Sequence, residues 1–152
     1  MTLILGIDPG SRVTGFGLII SHGNKLEYVN SGCIKTQTKL LPERLKIIFD
    51  QLCGVIECHQ PEQAAIEEVF MGKNASSALK LGQARGAAMV ACLSFDLSLS
   101  EYSARKVKQA VVGAGAADKA QVNHMVKALL KIKDNLAEDA ADALAVAICH
   151  AN

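Results

Sequence analysis

Four acidic residues stand where an acid is hard to explain as ordinary surface: Asp8, Glu67, Asp139 and Asp142. Asp8 closes the apolar run Leu3-Ile4-Leu5-Gly6-Ile7, and Glu67 sits within Ala64-Ala65-Ile66-Glu67-Glu68-Val69-Phe70. Burying a carboxylate in such company is costly unless it is paired, hydrogen-bonded or bound to a cation. Asp139 and Asp142, in Asp139-Ala140-Ala141-Asp142-Ala143-Leu144-Ala145, project from one face of a helix otherwise made of small packing residues. Like charges at that spacing repel unless a cation lies between them. Carboxylates are hard oxygen donors, suited to Mg2+ or Mn2+ rather than zinc. Two such ions about 3.5 to 4 Å apart can activate a water and stabilise the leaving oxygen of an in-line displacement at phosphorus. The pattern points to metal-dependent phosphoryl chemistry, with DNA, RNA and nucleotides all open as substrates.

Each acid taken singly has a plainer explanation. Asp8, before Pro9-Gly10, also reads as a turn aspartate. Glu67 would face solvent if its strand lay at a sheet edge, with Glu68 then turned inward. Asp139 would be a favourable charge in the first turn of a helix. The coincidence of all four carries the metal reading. No rival nucleophile has a motif around it: His22, His59, His124 and His150 are isolated, and Cys33, Cys53, Cys58, Cys92 and Cys149 form no CxxC pair. The cysteines read as reduced core residues, with neither a disulfide framework nor a zinc site.

The elements that must position these acids follow from the hydrophobic pattern. Residues 3–7 and 13–20 are apolar runs joined by Asp-Pro-Gly-Ser, a hairpin, and residues 24–35 alternate loosely as a third antiparallel strand. Leu41, Leu45, Ile48, Phe49, Leu52, Val55 and Ile56 recur with a helical period. A strand is expected over 64–70, a long helix with a small-residue face at Gly82 and Gly86 over 75–93, and a short strand over 97–102. Helices follow over 104–112, over 118–131 with Asp118 as its cap, and over 138–149. Three strands in meander, then helix, strand, helix, strand and helices, make a mixed α/β sheet of five strands with helices on its faces.

Composition fits one domain. At 152 residues a folded chain hides roughly 70% of the surface it would expose unfolded. Half the residues are hydrophobic and 20% are charged, the profile of a globular protein. The opening MTLILGIDPGS carries neither a basic leader nor an apolar span, so a cytoplasmic protein with no membrane partner is expected. The net charge of +1 conceals an asymmetry: residues 71–133 carry ten Lys or Arg against three acids, and the remainder is correspondingly acidic. A basic segment able to meet phosphates thus accompanies an acidic remainder able to bind cations, although a solvated helical surface would look the same.

Taken in order, the blocks GIDPGSRVTGFG (6–17), AIEEVF (65–70), NASSALKLGQARG (74–86), Val107-Lys108-Gln109 with Val112-Gly113, and Asp139-Ala140-Ala141-Asp142-Ala143 resemble bacterial RuvC-type Holliday junction resolvases, over nearly the whole chain. The resemblance implies a ribonuclease H-like fold and a homodimer that nicks two strands of a four-way DNA junction symmetrically. It implies Asp8, Glu67, Asp139 and Asp142 as catalytic metal ligands, for Mg2+ or Mn2+ and with two ions per site. It also implies that Phe70 probes the junction centre, that Lys108 and Lys119 hold DNA, and that the branch-migration proteins RuvA and RuvB are partners. Arg12 and Lys73 are further phosphate candidates from the residues themselves, and an aromatic such as Phe70 at a strand exit can stack on an unpaired base. Glu68 departs from the uncharged Gln usual in the family.

Two other functions compete. Asp8-Pro9-Gly10-Ser11 before a glycine-rich strand also resembles the phosphate loop of actin-like and sugar kinases, but those enclose their nucleotide between two domains. A junction-binding module without catalysis would not need all four acids.

Overall fold

The computed structural model describes residues 1–37, 39–68 and 74–152. Five strands, β1 (Thr2–Asp8), β2 (Val13–His22), β3 (Lys25–Lys35), β4 (Gln63–Glu67) and β5 (Ser98–Tyr102), form one sheet in the order β3-β2-β1-β4-β5. The first three run as an antiparallel meander, and β4 and β5 lie parallel to β1. Five helices accompany them among the described residues: α1 (Leu41–His59), α2 (Ala75–Leu93), α3 (Ala104–Val112), α4 (Lys119–Leu130) and α5 (Glu138–Ala151). The expected architecture is borne out. The strand anticipated over 64–70 spans Gln63–Glu67, so that Glu67 is its last residue, and positions 69 and 70 of the expected strand lie outside the described residues.

The pleat sorts the core into two layers. Leu5, Ile7, Leu18, Ala64 and Ile66 pack with α1 and α2. Ile4, Ile19 and Ala65 pack with α3, α4 and α5 on the other face. Because strand side chains alternate, Gly6 and Asp8 share the face of Ile4, and Glu67 shares that of Ala65. Both acids therefore emerge on the α5 side, at the carboxyl ends of neighbouring parallel strands.

The central helix α5 reaches that face because the sheet beneath it has almost no side chains. A Cβ at Gly6 would lie 2.2 Å from the carbonyl oxygen of Ala143, one at Gly15 only 1.9 Å from that of Asp139, and one at Gly17 2.5 Å from Leu144. Alanines at 140, 141, 143, 145 and 147, all buried, complete the close approach. The far end of α5 is tied down by polar contacts: Gln63 Oε1 accepts from His150 Nε2 at 2.7 Å, and the Tyr102 hydroxyl donates to His150 Nδ1 at 2.7 Å. Burial pushes the His150 pKa down, which favours the neutral ring this arrangement requires.

The turn after Asp8 is held by a buried threonine. Thr14 Oγ1 accepts the Gly10 amide proton at 3.2 Å and donates to the Gly10 carbonyl at 2.8 Å. Thr36, also buried, donates to the Ser11 carbonyl at 2.6 Å. These bonds satisfy backbone groups that would otherwise be orphaned in the loop. The cysteine expectation is corrected in part. Cys92 and Cys149 are buried, but Cys33 and Cys53 are half-buried and Cys58 is exposed, because α1 is amphipathic and Cys58 falls on its outer face.

Candidate active site

The structure brings the acids together at one end of the sheet. Single carboxylate oxygens of Asp8, Asp139 and Asp142 all lie within 4.8 Å of one another. Glu67 stands beside Asp8, since Ile7 pairs with Ile66 in the parallel register, and the two carboxyl groups share a hydrogen bond. The edge-strand explanation of Glu67 fails because β4 lies between β1 and β5. Glu68 is exposed, its amide donating to the Tyr102 carbonyl at 2.8 Å, and the pleat turns its side chain away from Glu67.

A cavity of about 230 Å³ opens at this point, lined by Asp8, Glu67, Lys108, Lys119 and Asp142 with Ala104, Val107, Val122 and Ala145 as its apolar wall. A larger groove of about 800 Å³, between the β2–β3 turn and the end of α4, holds none of the four acids. Capping sets the two lysines in place. Ser103 accepts from the Lys106 amide at the start of α3, and Gly113 ends that helix at φ +87°. Asp118 and Gln121 form a capping box at the start of α4, which leaves Lys119 in the first turn. Its ammonium group lies 3.3 Å from Asp142 and 3.3 Å from Glu138.

The electrostatics are those of an anion cluster short of positive charge. Burial, then Glu67 and Asp142, push the Asp8 carboxyl far above the ordinary carboxylate range. Burial also raises Glu67, against the hydrogen bond from Asp8 and the pull of Lys119 and Lys108. Asp142 is raised by burial, against the opposing attraction of Lys119. Burial works against the charge on Lys119, but Asp142 and Glu138 outweigh it and hold its pKa above the usual lysine value. Without a cation, such a cluster keeps protons it would otherwise lose at neutral pH. Crowded carboxylate oxygens, with no imidazole or thiol in the cluster among the described residues, are the donor set of a hard divalent ion rather than a softer one.

The chain as a whole is similar to known proteins. Residues 4–150 fit the family model described as crossover junction endodeoxyribonuclease RuvC. The crossover junction endodeoxyribonuclease RuvC of Photobacterium profundum is 64% identical over all of this chain and 88% of its own length. The chain belongs to the RuvC family. The RuvC of Vibrio vulnificus is 60% identical over the same shares. The Thermus thermophilus RuvC structure in complex with Holliday junction substrate superposes with a TM-score of 0.91 at 32% identity, covering 99% of this chain and 93% of that one. The fold is therefore the RuvC form of the ribonuclease H-like architecture.

Within this RuvC-family chain, the sequence-derived site residues fall into three groups. Asp8, Glu67, Asp139, Asp142, Lys108 and Lys119 converge. Arg12 is exposed in the β1–β2 turn and does not line the cavity. Phe70 and Lys73 lie outside the described residues. Two functional neighbours escaped the sequence reading. Glu138 shares Lys119 with Asp142, and the only sequence signal was an acid in the first turn of the last helix. Arg85, counted merely as one of the basic segment, reaches the backbone of Glu67, and nothing local in the sequence announces that.

Proposed function

We propose that this chain is a single-domain, Mg2+-dependent Holliday junction resolvase that nicks two opposed strands of four-way junction DNA. The observation that carries the reading is the convergence of Asp8, Asp139 and Asp142 within 4.8 Å, with Glu67 delivered beside them by the adjacent strand. Asp8, Asp139 and Asp142 would hold one ion, and Asp8 with Glu67 the second. Bound there, Mg2+ or Mn2+ supplies Lewis acidity and a lowered water pKa at the scissile phosphate.

The chain's own groups do the rest. Asp8, with Asp139 and Asp142 near it and Glu67 beside it, would contribute to holding both ions. Lys119, with its side chain 64% exposed, neutralises Asp142 and Glu138 yet keeps donors free for a DNA phosphate. Lys108 faces the same cavity from α3. Val107, Val122 and Ala145 exclude water from one wall, which strengthens each of these charges. Phe70, Lys73 and Arg12 remain proposed DNA contacts.

Paired nicking requires two sites, so a homodimer is proposed. What supports it is α2, where Leu79, Val90 and Leu93 are exposed and a Cβ at Gly82 or Gly86 would meet no atom within 4 Å. Small residues on an open helix face let a second helix approach closely. The DNA substrate, RuvA and RuvB as partners and a cytoplasmic location complete the proposal. No helix among the described residues is long and apolar enough to cross a membrane.

The test is cleavage of a synthetic four-way junction against linear duplex of the same sequence, with Mg2+ and with EDTA. Symmetric nicks in the junction alone, and only with Mg2+, are expected. Equal cleavage of duplex, or cleavage in EDTA, would overturn the reading.

A further inference from the structure

The end of β4 is gripped by a residue from the opposite face of the sheet. Arg85, on α2, donates from Nε to the backbone carbonyl oxygen of Glu67 at 3.1 Å. The same guanidinium pairs with the Glu101 carboxylate on β5, and its Nη1 lies 3.3 Å from the thioether sulfur Sδ of Met89, one helical turn ahead. Its side chain is only 15% exposed, against 47% for Glu101. A largely buried guanidinium is costly unless its donors are satisfied, and here one of them is spent on the peptide group that carries a proposed metal ligand. The planar fork fixes direction as well as distance, which an ammonium cannot do.

That geometry matters at Glu67 in particular because its strand ends there. The residue is the last of β4, and the next amide, that of Glu68, donates to the Tyr102 carbonyl at 2.8 Å. The Glu68 amide and the Glu67 carbonyl belong to one planar peptide unit, which is therefore held from both sides, its N–H by the Tyr102 carbonyl on β5 and its C=O by Arg85 on α2.

We propose that Arg85 is a positioning residue for the reaction: by clamping the Glu67 carbonyl between α2 and β5 it sets the direction of the Glu67 carboxylate toward the divalent-ion site. The proposal rests on Glu67 being a metal ligand. Arg85 touches neither DNA nor ion in this role, so its loss acts on metal use and on the chemical step, and leaves junction affinity in EDTA alone. Residues that orient metal ligands typically cost about 10- to 100-fold in metal affinity or activity when removed.

The experiment compares Arg85→Gln, Arg85→Lys and Glu67→Gln with the parent chain. Three quantities are measured: the single-turnover cleavage rate as a function of Mg2+, junction affinity in EDTA, and the rise in melting temperature on adding Mn2+ without DNA. For Arg85→Gln the expected result is a rate lowered about tenfold or more, a half-saturating Mg2+ concentration raised about as much, a smaller Mn2+-induced rise in melting temperature, and junction affinity unchanged. Arg85→Lys keeps the charge and recovers part of each loss. If Arg85→Gln does not fold, the same shifts, smaller, are read in Arg85→Lys. A folded Arg85 variant with parental metal requirement and rate would overturn the proposal, as would a loss confined to melting temperature. Glu67→Gln separates the two levels: if it cuts normally, the ligand reading fails; if it is inactive while Arg85→Gln is normal, only the positioning role fails.

Discussion

Gly15→Ala adds one methyl group and alters no charge, and it should nearly silence the enzyme. Gly15 faces Asp8 across the β1–β2 pair, and the added Cβ would sit 1.9 Å from the carbonyl oxygen of Asp139 and 2.4 Å from its carbon. Those atoms are backbone and cannot rotate away. Restoring ordinary contact, at about 3.5 Å, requires the first turn of α5 to retreat from β2 by roughly 1.5 Å. Asp139 and Asp142 ride on that turn, whereas Asp8 does not move with it. Misplacing reacting groups by about 1 Å can cost about 100-fold in rate, so single-turnover cleavage of a four-way junction should fall by about that factor or more. Overpacking costs about 1 to 3 kcal/mol, and at this chain length each kcal/mol lowers the melting temperature by about 2 to 4 °C. The assay is single-turnover cleavage with saturating enzyme, read beside a melting curve and junction binding in EDTA. Gly54→Ala is the control: a Cβ there meets nothing within 4 Å on α1, and helix propensity favours alanine by roughly 0.5 to 1 kcal/mol. A Gly15→Ala protein that melts within a degree of the parent and cuts within about twofold of its rate would refute the argument that α5 is seated by missing side chains.

Asp8→Asn should abolish cleavage while junction binding in EDTA persists. The same substitution should raise the melting temperature of the metal-free protein at neutral pH, because it removes a carboxyl that burial, Glu67 and Asp142 force to take up a proton on folding; a lower melting temperature would contradict that account of the cluster. The pH dependence has a definite sign. Burial and acidic neighbours raise the folded-state pKa of Asp8, so the folded chain holds more protons than the unfolded one above the ordinary carboxylate range. Stability of the metal-free protein should therefore decline as pH rises from that range toward the raised value, and Asp8→Asn should flatten the decline in melting curves taken in EDTA. Metal affinity should move the other way, tightening with pH as the bound proton is given up, which calorimetry in buffers of different ionisation enthalpy will read as proton release. Lys108→Ala and Lys119→Ala should each lower the salt slope of junction binding by about one, and an unchanged slope removes that residue from the phosphate contacts. Leu79→Glu on the exposed face of α2 should shift the protein to monomer in sedimentation and turn paired nicks into single ones; a dimer of unchanged stability would locate the interface elsewhere.

Much of this was legible in the sequence because the information was local. The strand and helix periods placed the ten elements to within a few residues, and Asp8 and Glu67 betrayed themselves by standing at the end of one apolar run and inside another. The Asp118 cap was visible in advance and is present as a full capping box. What the sequence withheld depends on residues distant in the chain. Lys119 finds Asp142 at a separation of 23 residues, and Arg85 finds Glu67 at 18; no propensity or period encodes such pairs. The cysteines misled because a free Cys is buried on average, while Cys58 follows the amphipathic face of α1 instead. Arg12, plausible by type, is carried by the turn to a place off the cavity wall.

The seating of α5 has a further consequence for how the activity comes into being. Asp8 stands on β1, near one end of the chain order, while Asp139 and Asp142 arrive with α5, the last element in that order. A ribosome adding about 5 to 20 residues per second takes on the order of ten seconds to pass from one to the others. Throughout that interval the glycine-floored trough over β1 and β2 is empty, and the ligand set is incomplete. An interrupted product that stops before α5 exposes its unfilled core to proteases and chaperones, but it carries only two of the four proposed metal ligands, Asp8 and Glu67. The helix that closes the hydrophobic layer is thus also the one that arms the nuclease, so catalytic competence and completion of the fold occur in a single event.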